Sequence, residues 1–395
     1  MIDVLCFPAV EEIAIRMLSG FKGFKALKTE VLLYTMMNAF FMYGYFQVIN
    51  SIGAICNQVS TEQDIYLIPI ASDWKELAEK LRKTGLFREV KVLPNILLTY
   101  PVTIKKIISI TMNRFKVYKM LKDKKYERVY YNADGLLVNS IIYSGLIKNN
   151  QNAKHIFIEN GPGIYIRPYD EKPRYLHLFI RLLGMKCMEG KRVDEILLYE
   201  PEIMCTEQPA KVSRLTKIDR ENPEVQRHLN TIYPLENTSI VLSKKKYILL
   251  EQAPYALPFD EMPIWEAIVG GLDKQDIILK LHPRQKKSKL GSLGLDVFPE
   301  QTIPLEAIIA GLETGSKVFF SMFSTACLLP KLMLDEDTQV VFLYKLAPAD
   351  FLPIANSRLN DFIENFKGLY NDSSRLHVPG SIEELKAIVE KIRNQ

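Results

Sequence analysis

The stretch Asp276-Ile277-Ile278-Leu279-Lys280-Leu281-His282-Pro283-Arg284 decides how the chain folds. Its short apolar run reads as a buried strand, and Pro283 ends it, because a residue without an amide hydrogen cannot continue a ladder. His282 therefore falls at the strand's C-terminal tip. In open α/β sheets ligands bind at that edge, and an imidazole there changes charge near neutral pH. The competing interpretation is a plain surface histidine at a strand end.

Outward from this strand a βα rhythm extends in both directions. Downstream and just upstream, strands are expected at 247–250, 276–281, 317–320 and 339–344, with helices at 263–272, 304–312, from 325 onward and at 381–393. Ser381 and Glu384 form a capping box ahead of the apolar face Ile382, Leu385, Ile388, Val389 and Ile392. In the first half, strands at 39–43, 65–70 and 87–93 alternate with a helix at 45–57 and another that opens on Asp73-Trp74-Lys75-Glu76 and stops at Gly85. Strands at 128–131 and 155–158 follow, each with a polar turn behind it. This order predicts parallel sheets covered by helices. Residues 203–243 are polar and aperiodic, which sets a boundary near 237: an N-terminal domain 1–236, with an extra helical segment at 1–37, and a C-terminal domain 237–395. The expected fold class is α/β, two Rossmann-like domains facing a cleft.

Composition narrows the class further. At 395 residues, 48% apolar and 25% charged, the chain has ordinary globular composition and length for two cores. A net charge of +5 over this length does not point to nucleic acid. Five scattered cysteines without a CxxC pair indicate neither a zinc site nor a disulfide framework. No secretory signal is apparent, and the most apolar segment, 31–46, is shorter than the roughly 20 residues a membrane span needs. The expectation is a reduced, cytoplasmic protein. Two basic helical stretches, 103–128 and 174–192, interleave lysine and arginine with apolar residues. Each is either a packed helix with a solvated basic face or a peripheral contact with the anionic inner face of a membrane.

In the second half four polar positions fall on one edge of one sheet. Asp260 follows the first strand, His282 tips the next, Glu306 opens a helix, and Ser324 with Thr325 follows a later strand. Helices of a parallel sheet start at the strands' C-terminal edge, so these residues converge across a long sequence separation. Ser324 and Thr325 at a helix N-terminus suit a phosphate. His282 can protonate or hydrogen-bond that phosphate as it leaves, Glu306 offers two acceptor oxygens to a ribose diol, and Asp260 can take a proton from an attacking hydroxyl. Taken singly, Ser324 is equally an N-cap and Glu306 equally a charge complementing a helix dipole. Together they fit a nucleotide sugar. The acidic triplet Asp335-Glu336-Asp337 precedes a strand and so faces away from that edge, and no Walker loop, GxGxxG or GxSxG is present.

These residues resemble a known family. Lys280-Leu281-His282-Pro283 is similar to the HP motif of bacterial sialyltransferases, Ser324-Thr325 to their Ser-Ser/Thr motif, and Ile303-Pro304-Leu305-Glu306 to the segment that supplies their ribose-binding glutamate. Glu159-Asn160-Gly161-Pro162-Gly163 resembles their acidic motif, and Phe46-Gln47-Val48-Ile49-Asn50 the opening strand-to-helix turn of the lipooligosaccharide sialyltransferases, glycosyltransferase family 52. The resemblance covers roughly residues 38–345. It implies a GT-B-like fold, CMP-sialic acid as donor, a galactose-type glycan acceptor, inversion at the anomeric carbon, and no metal or other cofactor. By that resemblance Asp260 matches the base and His282 the general acid, while Lys280, Pro283, Glu306, Ser324 and Thr325 contact the donor. Glu159 is the alternative base or an acceptor-binding residue, with Asn160 and Gly161 beside it. Asn160 departs from the pattern, since an amide cannot accept a proton at neutral pH. CMP-Kdo or a UDP-hexose as donor stays open, as do an inactive glycan-binding or scaffold module and a homodimer.

Overall fold

The computed structural model describes residues 37–56, 62–69, 74–97, 103–132, 135–169, 174–189, 192–251, 259–282, 285, 287–348 and 356–395. The expected helices before residue 37 lie outside these residues, as do Asp73, Pro283 and Arg284.

Seven strands, β1 (Met37–Met42), β2 (Glu62–Leu67), β3 (Glu89–Val92), β4 (Arg128–Asn132), β5 (Lys154–Ile158), β6 (Glu195–Leu198) and β7 (Lys211–Arg214), form one sheet in the order β3-β2-β1-β4-β5-β6-β7. Six more, β8 (Tyr247–Leu250), β9 (Ile277–Lys280), β10 (Asp296–Val297), β11 (Val318–Ser321), β12 (Gln339–Phe342) and β13 (Leu376–His377), form a second in the order β10-β9-β8-β11-β12-β13. Every pairing is parallel. Parallel neighbours need long crossovers, so helices fall on both faces and central strands become continuous apolar runs. Accordingly every residue of β8, β9 and β11 is buried. The chain thus adopts the expected fold class, two Rossmann-like α/β domains.

The helices are α1 (Tyr45–Cys56), α2 (Lys75–Thr84), α3 (Ile104–Leu121), α4 (Leu136–Leu146), α5 (Gly163–Ile166), α6 (Arg174–Leu182), α7 (Pro223–Ile232), α8 (Glu236–Ser243), α9 (Met262–Gly271), α10 (Leu305–Gly311), α11 (Leu329–Leu334), α12 (Asn356–Lys367) and α13 (Ile382–Arg393). Two basic helices end earlier than their patterns suggest, at Leu121 and Leu182. Gly184, at φ 70°, takes the left-handed conformation just past the second. The stretch 203–243, expected to be irregular, carries β7, α7 and α8. Asn222 caps α7 by accepting from the Glu224 amide at 2.9 Å, with Pro223 at the first helical position, a polar signal easily mistaken for a loop. Thr325 opens a single 3-10 turn, Thr325–Leu328, that runs into α11. Ser381 caps α13 as expected, accepting from the Glu384 amide at 3.1 Å.

Segments of the first half hold the second sheet in place. α7 packs against α1, α2 and α10. α12 returns to the first sheet, where Phe362 lies 5.7 Å from Tyr165. Arg220, just ahead of α7, pairs with Glu336 and donates to the Ile309 carbonyl at 2.7 Å, while Glu336 also accepts from Thr314 Oγ1 at 2.9 Å. The members of the acidic triplet are all held this way: Asp335 and Asp337 grip Lys331 at 2.7 and 2.6 Å. Replacing Arg220 by Met leaves a partly buried carboxylate without its cation, and should cost about 2 kcal/mol in urea unfolding. An unchanged midpoint would contradict this role.

Candidate functional site

Both sheets follow the strand order in which the first strand sits centrally and the chain winds first to one side and then to the other. Their switch points are β1/β4 and β8/β11. In open α/β sheets ligands bind at such switch points, outside the carboxyl ends of the strands.

In the second sheet, Lys280, Leu250 and Ser321 lie level at that edge. His282 is two residues beyond β9 and Ser324 three beyond β11. The two strands flank β8, so these tips stand about 10 Å apart, two strand spacings. Several contacts gather the loops. Glu251, the buried residue after β8, accepts from Gln285 Nε2 at 2.9 Å, Ser288 Oγ at 2.8 Å and the Lys289 amide at 2.6 Å. Gln285 Oε1 in turn accepts from the His282 amide at 3.1 Å. One carboxylate therefore fixes the loop that carries His282. Across β8, Phe259 and Phe323 meet edge to face at 6.5 Å, setting Asp260 beside the Ser324 loop.

The expected residues of this half each follow a strand of the second sheet. Asp260 is exposed, and its Oδ1 accepts from the Met262 amide at 3.0 Å at the start of α9. His282, Ser324 and Thr325 are half-buried. The Ser324 carbonyl accepts from Ser321 Oγ at 2.9 Å, and its side chain makes no cap bond. Lys280 is buried, donates to the Gln301 carbonyl at 3.3 Å, and is pushed down to about 8 by loss of hydration, which the Glu306 charge opposes. Burial pushes the Glu306 carboxyl above its ordinary range, opposed by its own backbone amide and by Lys280. The two are thus electrostatic partners beneath the edge, and Lys280 itself is not open to a ligand.

The acidic-motif residues lie in the first sheet. Glu159, directly after β5, is wholly buried. Its Oε2 accepts from Tyr165 Oη and from the Tyr199 amide, both at 2.7 Å. Burial pushes its carboxyl up to about 7 against those two bonds. Asn50 donates to the Glu159 carbonyl at 3.0 Å and accepts from Tyr199 Oη at 2.7 Å, which seals the group. Asn160 Nδ2 donates to Asn132 Oδ1 at 3.0 Å, an arrangement that ties the ends of β5 and β4. Gly161 has φ 110°, a backbone state that L side chains rarely adopt, and an added Cβ there would meet open space.

An aromatic group that the sequence did not single out joins the two edges. Tyr45, at the start of α1, stacks on Trp74, the residue before α2, at 5.5 Å. Tyr233, which ends α7, sits edge-on to Tyr45 at 6.5 Å and lies within reach of the Glu306 charge. The C-terminal edges of both sheets therefore face each other here. Trp74 Nε1, Tyr233 Oη and Gln47 Oε1 are buried without a hydrogen-bond partner among the described residues. Gly44 leaves room for Gln47: an added Cβ would stand 2.0 Å from Oε1. The available signal was aromatic residues at the strand-to-helix turns after β1 and β2, masked at Trp74 by a pattern that looks like a cap.

Among the described residues one group could hold a cation, His177, Cys187 and Glu189, whose ligand atoms lie within 4.8 Å. Arg181 already bonds the same Glu189 oxygen at 2.7 Å, so a positive charge occupies that position.

No family model and no curated protein matches this chain. Solved structures similar to it include UDP-N-acetylglucosamine 2-epimerase from Rickettsia bellii (13% identity, TM-score 0.46, 91% of this chain and 96% of that one). Arabidopsis thaliana UGT89C1 complexed with UDP-L-rhamnose is similar at 8% identity and a TM-score of 0.49, over 90% and 89% of the two chains. Acinetobacter baumannii MurG is similar at 10% identity and a TM-score of 0.39, over 91% and 95%.

Proposed function

We propose that this chain is an inverting, metal-independent glycosyltransferase that moves sialic acid from CMP-sialic acid to a galactose-type hydroxyl of a surface glycan. The observation that carries the proposal is the meeting of two sheet edges: hydroxyl, imidazole and carboxylate groups on one, aromatic residues on the other. Ser324 and Thr325 hold the donor phosphate, and Glu306, with Lys280 as its buried counter-charge, takes the ribose diol. On the opposite edge the half-buried Tyr45, stacked on the buried Trp74, offers an aromatic surface to a polyhydroxylated acceptor.

In the step itself the acceptor hydroxyl attacks the anomeric carbon and gives its proton to Asp260. The bond from that carbon to the phosphate oxygen breaks, and CMP leaves with the electron pair, stabilised by a proton or hydrogen bond from His282. Asp260 is the exposed carboxylate, anchored through one oxygen by the Met262 amide. Glu159, sealed beneath Tyr165 and Tyr199, is assigned to holding the end of β5 rather than to proton transfer.

Thermal shift against nucleotides tests the donor class. CMP should raise the melting temperature where UDP and GDP do not, and Ser324→Ala should shrink that rise. Stabilisation by UDP alone would move the donor to a UDP-hexose, and none by any nucleotide would leave a non-catalytic module. His282→Ala should lower kcat on the order of 10²-fold or more while the CMP-induced shift persists; undiminished turnover would remove the acid assignment.

Glu159 makes a separate pH prediction. Its carboxyl, raised from 4.5 to about 7, keeps a proton in the folded protein that the unfolded chain has already released. Stability therefore falls as pH rises from 4.5 to 7 and levels off above. The slope is about 1.4 kcal/mol per pH unit within that window. Glu159→Gln mimics the protonated acid, so its advantage over the unmodified protein should grow between those limits in urea unfolding. A pH-independent difference would return Glu159 to the exposed, proton-exchanging class.

A further inference from the structure

Six of the eight exposed large apolar side chains among the described residues lie on two helices: Ile104, Ile108, Met112 and Phe115 on α3, and Leu178 and Leu182 on α6. The sequence pattern places Ile104, Ile107, Ile108, Phe115, Tyr118 and Leu121 on one side of α3. They are not on one side. At about 100° per residue, the outward four form a stripe nearly opposite the core face of Ile110, Val117 and Leu121. The helix is thus apolar on two faces, one docked and one open.

The two helices are joined. Arg114 donates to the Leu183 carbonyl just past α6, and its guanidinium lies 4.7 Å over the Phe115 ring. The apolar residues of both elements therefore belong to one surface. Its charge is predominantly positive, with Asp123 beside Lys122 and Glu189 beside Arg181 as the nearby acids. Residues 101–122 contain Lys105, Lys106, Arg114, Lys116, Lys119 and Lys122 and no acid, and 174–186 add Arg174, Arg181 and Lys186, again without an acid. Lys105, Lys116, Lys119, Lys122, Arg174 and Lys186 are exposed, while Arg181 is offset by Glu189.

We propose that this surface docks on an anionic lipid bilayer, with α3 lying along the interface. Apolar side chains that project singly from helices, interspersed with lysine, match the acyl-headgroup boundary, where the apolar residues enter and the cations meet lipid phosphates. An acidic protein groove would supply the charge but not the depth of hydrocarbon that an outward stripe about 16 Å long requires. No described helix is long and apolar enough to cross a membrane, so the contact is peripheral.

Flotation of the full chain with vesicles tests this independently of any donor or acceptor. It should bind phosphatidylcholine vesicles containing about one third phosphatidylglycerol, bind pure phosphatidylcholine weakly, and release in part at high salt. The exposed double variant Ile108→Ser/Leu182→Ser should weaken binding about tenfold or more, and Lys105→Glu/Lys116→Glu should do likewise. Ile240→Ser, an exposed apolar residue elsewhere, is the control and should leave binding unchanged. Absence of binding to the anionic vesicles overturns the proposal, as does equal binding by the double variants. So does lipid-free self-association that Ile108→Ser/Leu182→Ser abolishes, which would make the occupant a second copy.

Discussion

Parallel pairing constrains everything else in this protein. Two adjacent parallel strands cannot be joined by a tight turn, so each crossover carries a helix and every helix begins at the same edge of its sheet. Burial on both faces makes the central strands largely apolar, as in Tyr247-Ile248-Leu249-Leu250. Polar residues that stay in strands, such as Asp64 and Lys280, are held by partners, Arg88 and the Gln301 carbonyl, and most polar chemistry falls in the turns that follow. Residues as distant as His282 and Ser324 share one edge because each lies just past the end of a strand that flanks β8.

That edge has to be held rigid without strands to do it, and buried carboxylates take over the task. Glu251 accepts three bonds from the 285–289 loop, and Glu159 accepts two from the Tyr165 and Tyr199 segments. The two acids differ in how well hydration is replaced. Glu159 keeps Oε1 without a partner among the described residues and is driven toward the neutral form. Lys280 and Glu306 solve the same problem differently, each limiting the other's tendency to discharge.

How much of this was legible in the sequence follows from the same physics. The four inner strands of the second half were readable because they are uniform apolar runs whose turns begin with proline, serine or a capping box, whereas the two-residue edge strands β10 and β13 and the helix α12 were not expected. The interval 203–243 was not, because Asn222, Pro223 and the acids around them signal a helix start and a loop in the same letters. The aromatic meeting point of Tyr45, Trp74 and Tyr233 was invisible for another reason: three residues spread over nearly the whole first half meet only after both sheets have formed. The helix α3 was misjudged because its two apolar faces sum, in one dimension, to a single run.

The second face of α3 also bears on where an acceptor would arrive. α3 follows β3, so its first turn, with Ile104, lies toward the carboxyl edge of the first sheet, the edge that carries Gln47 and Trp74. If the stripe rests on a bilayer and the acceptor is a lipid-borne glycan, the sugar is presented to that edge without leaving the surface. Holding the chain and the acceptor on one plane replaces a search in three dimensions with one in two, raising effective concentration without a single added contact to the sugar. Under the proposed transfer, loss of the stripe would then slow reaction with a lipid-borne acceptor while sparing a short soluble one, because the residues proposed for the chemistry, Asp260 and His282, are untouched.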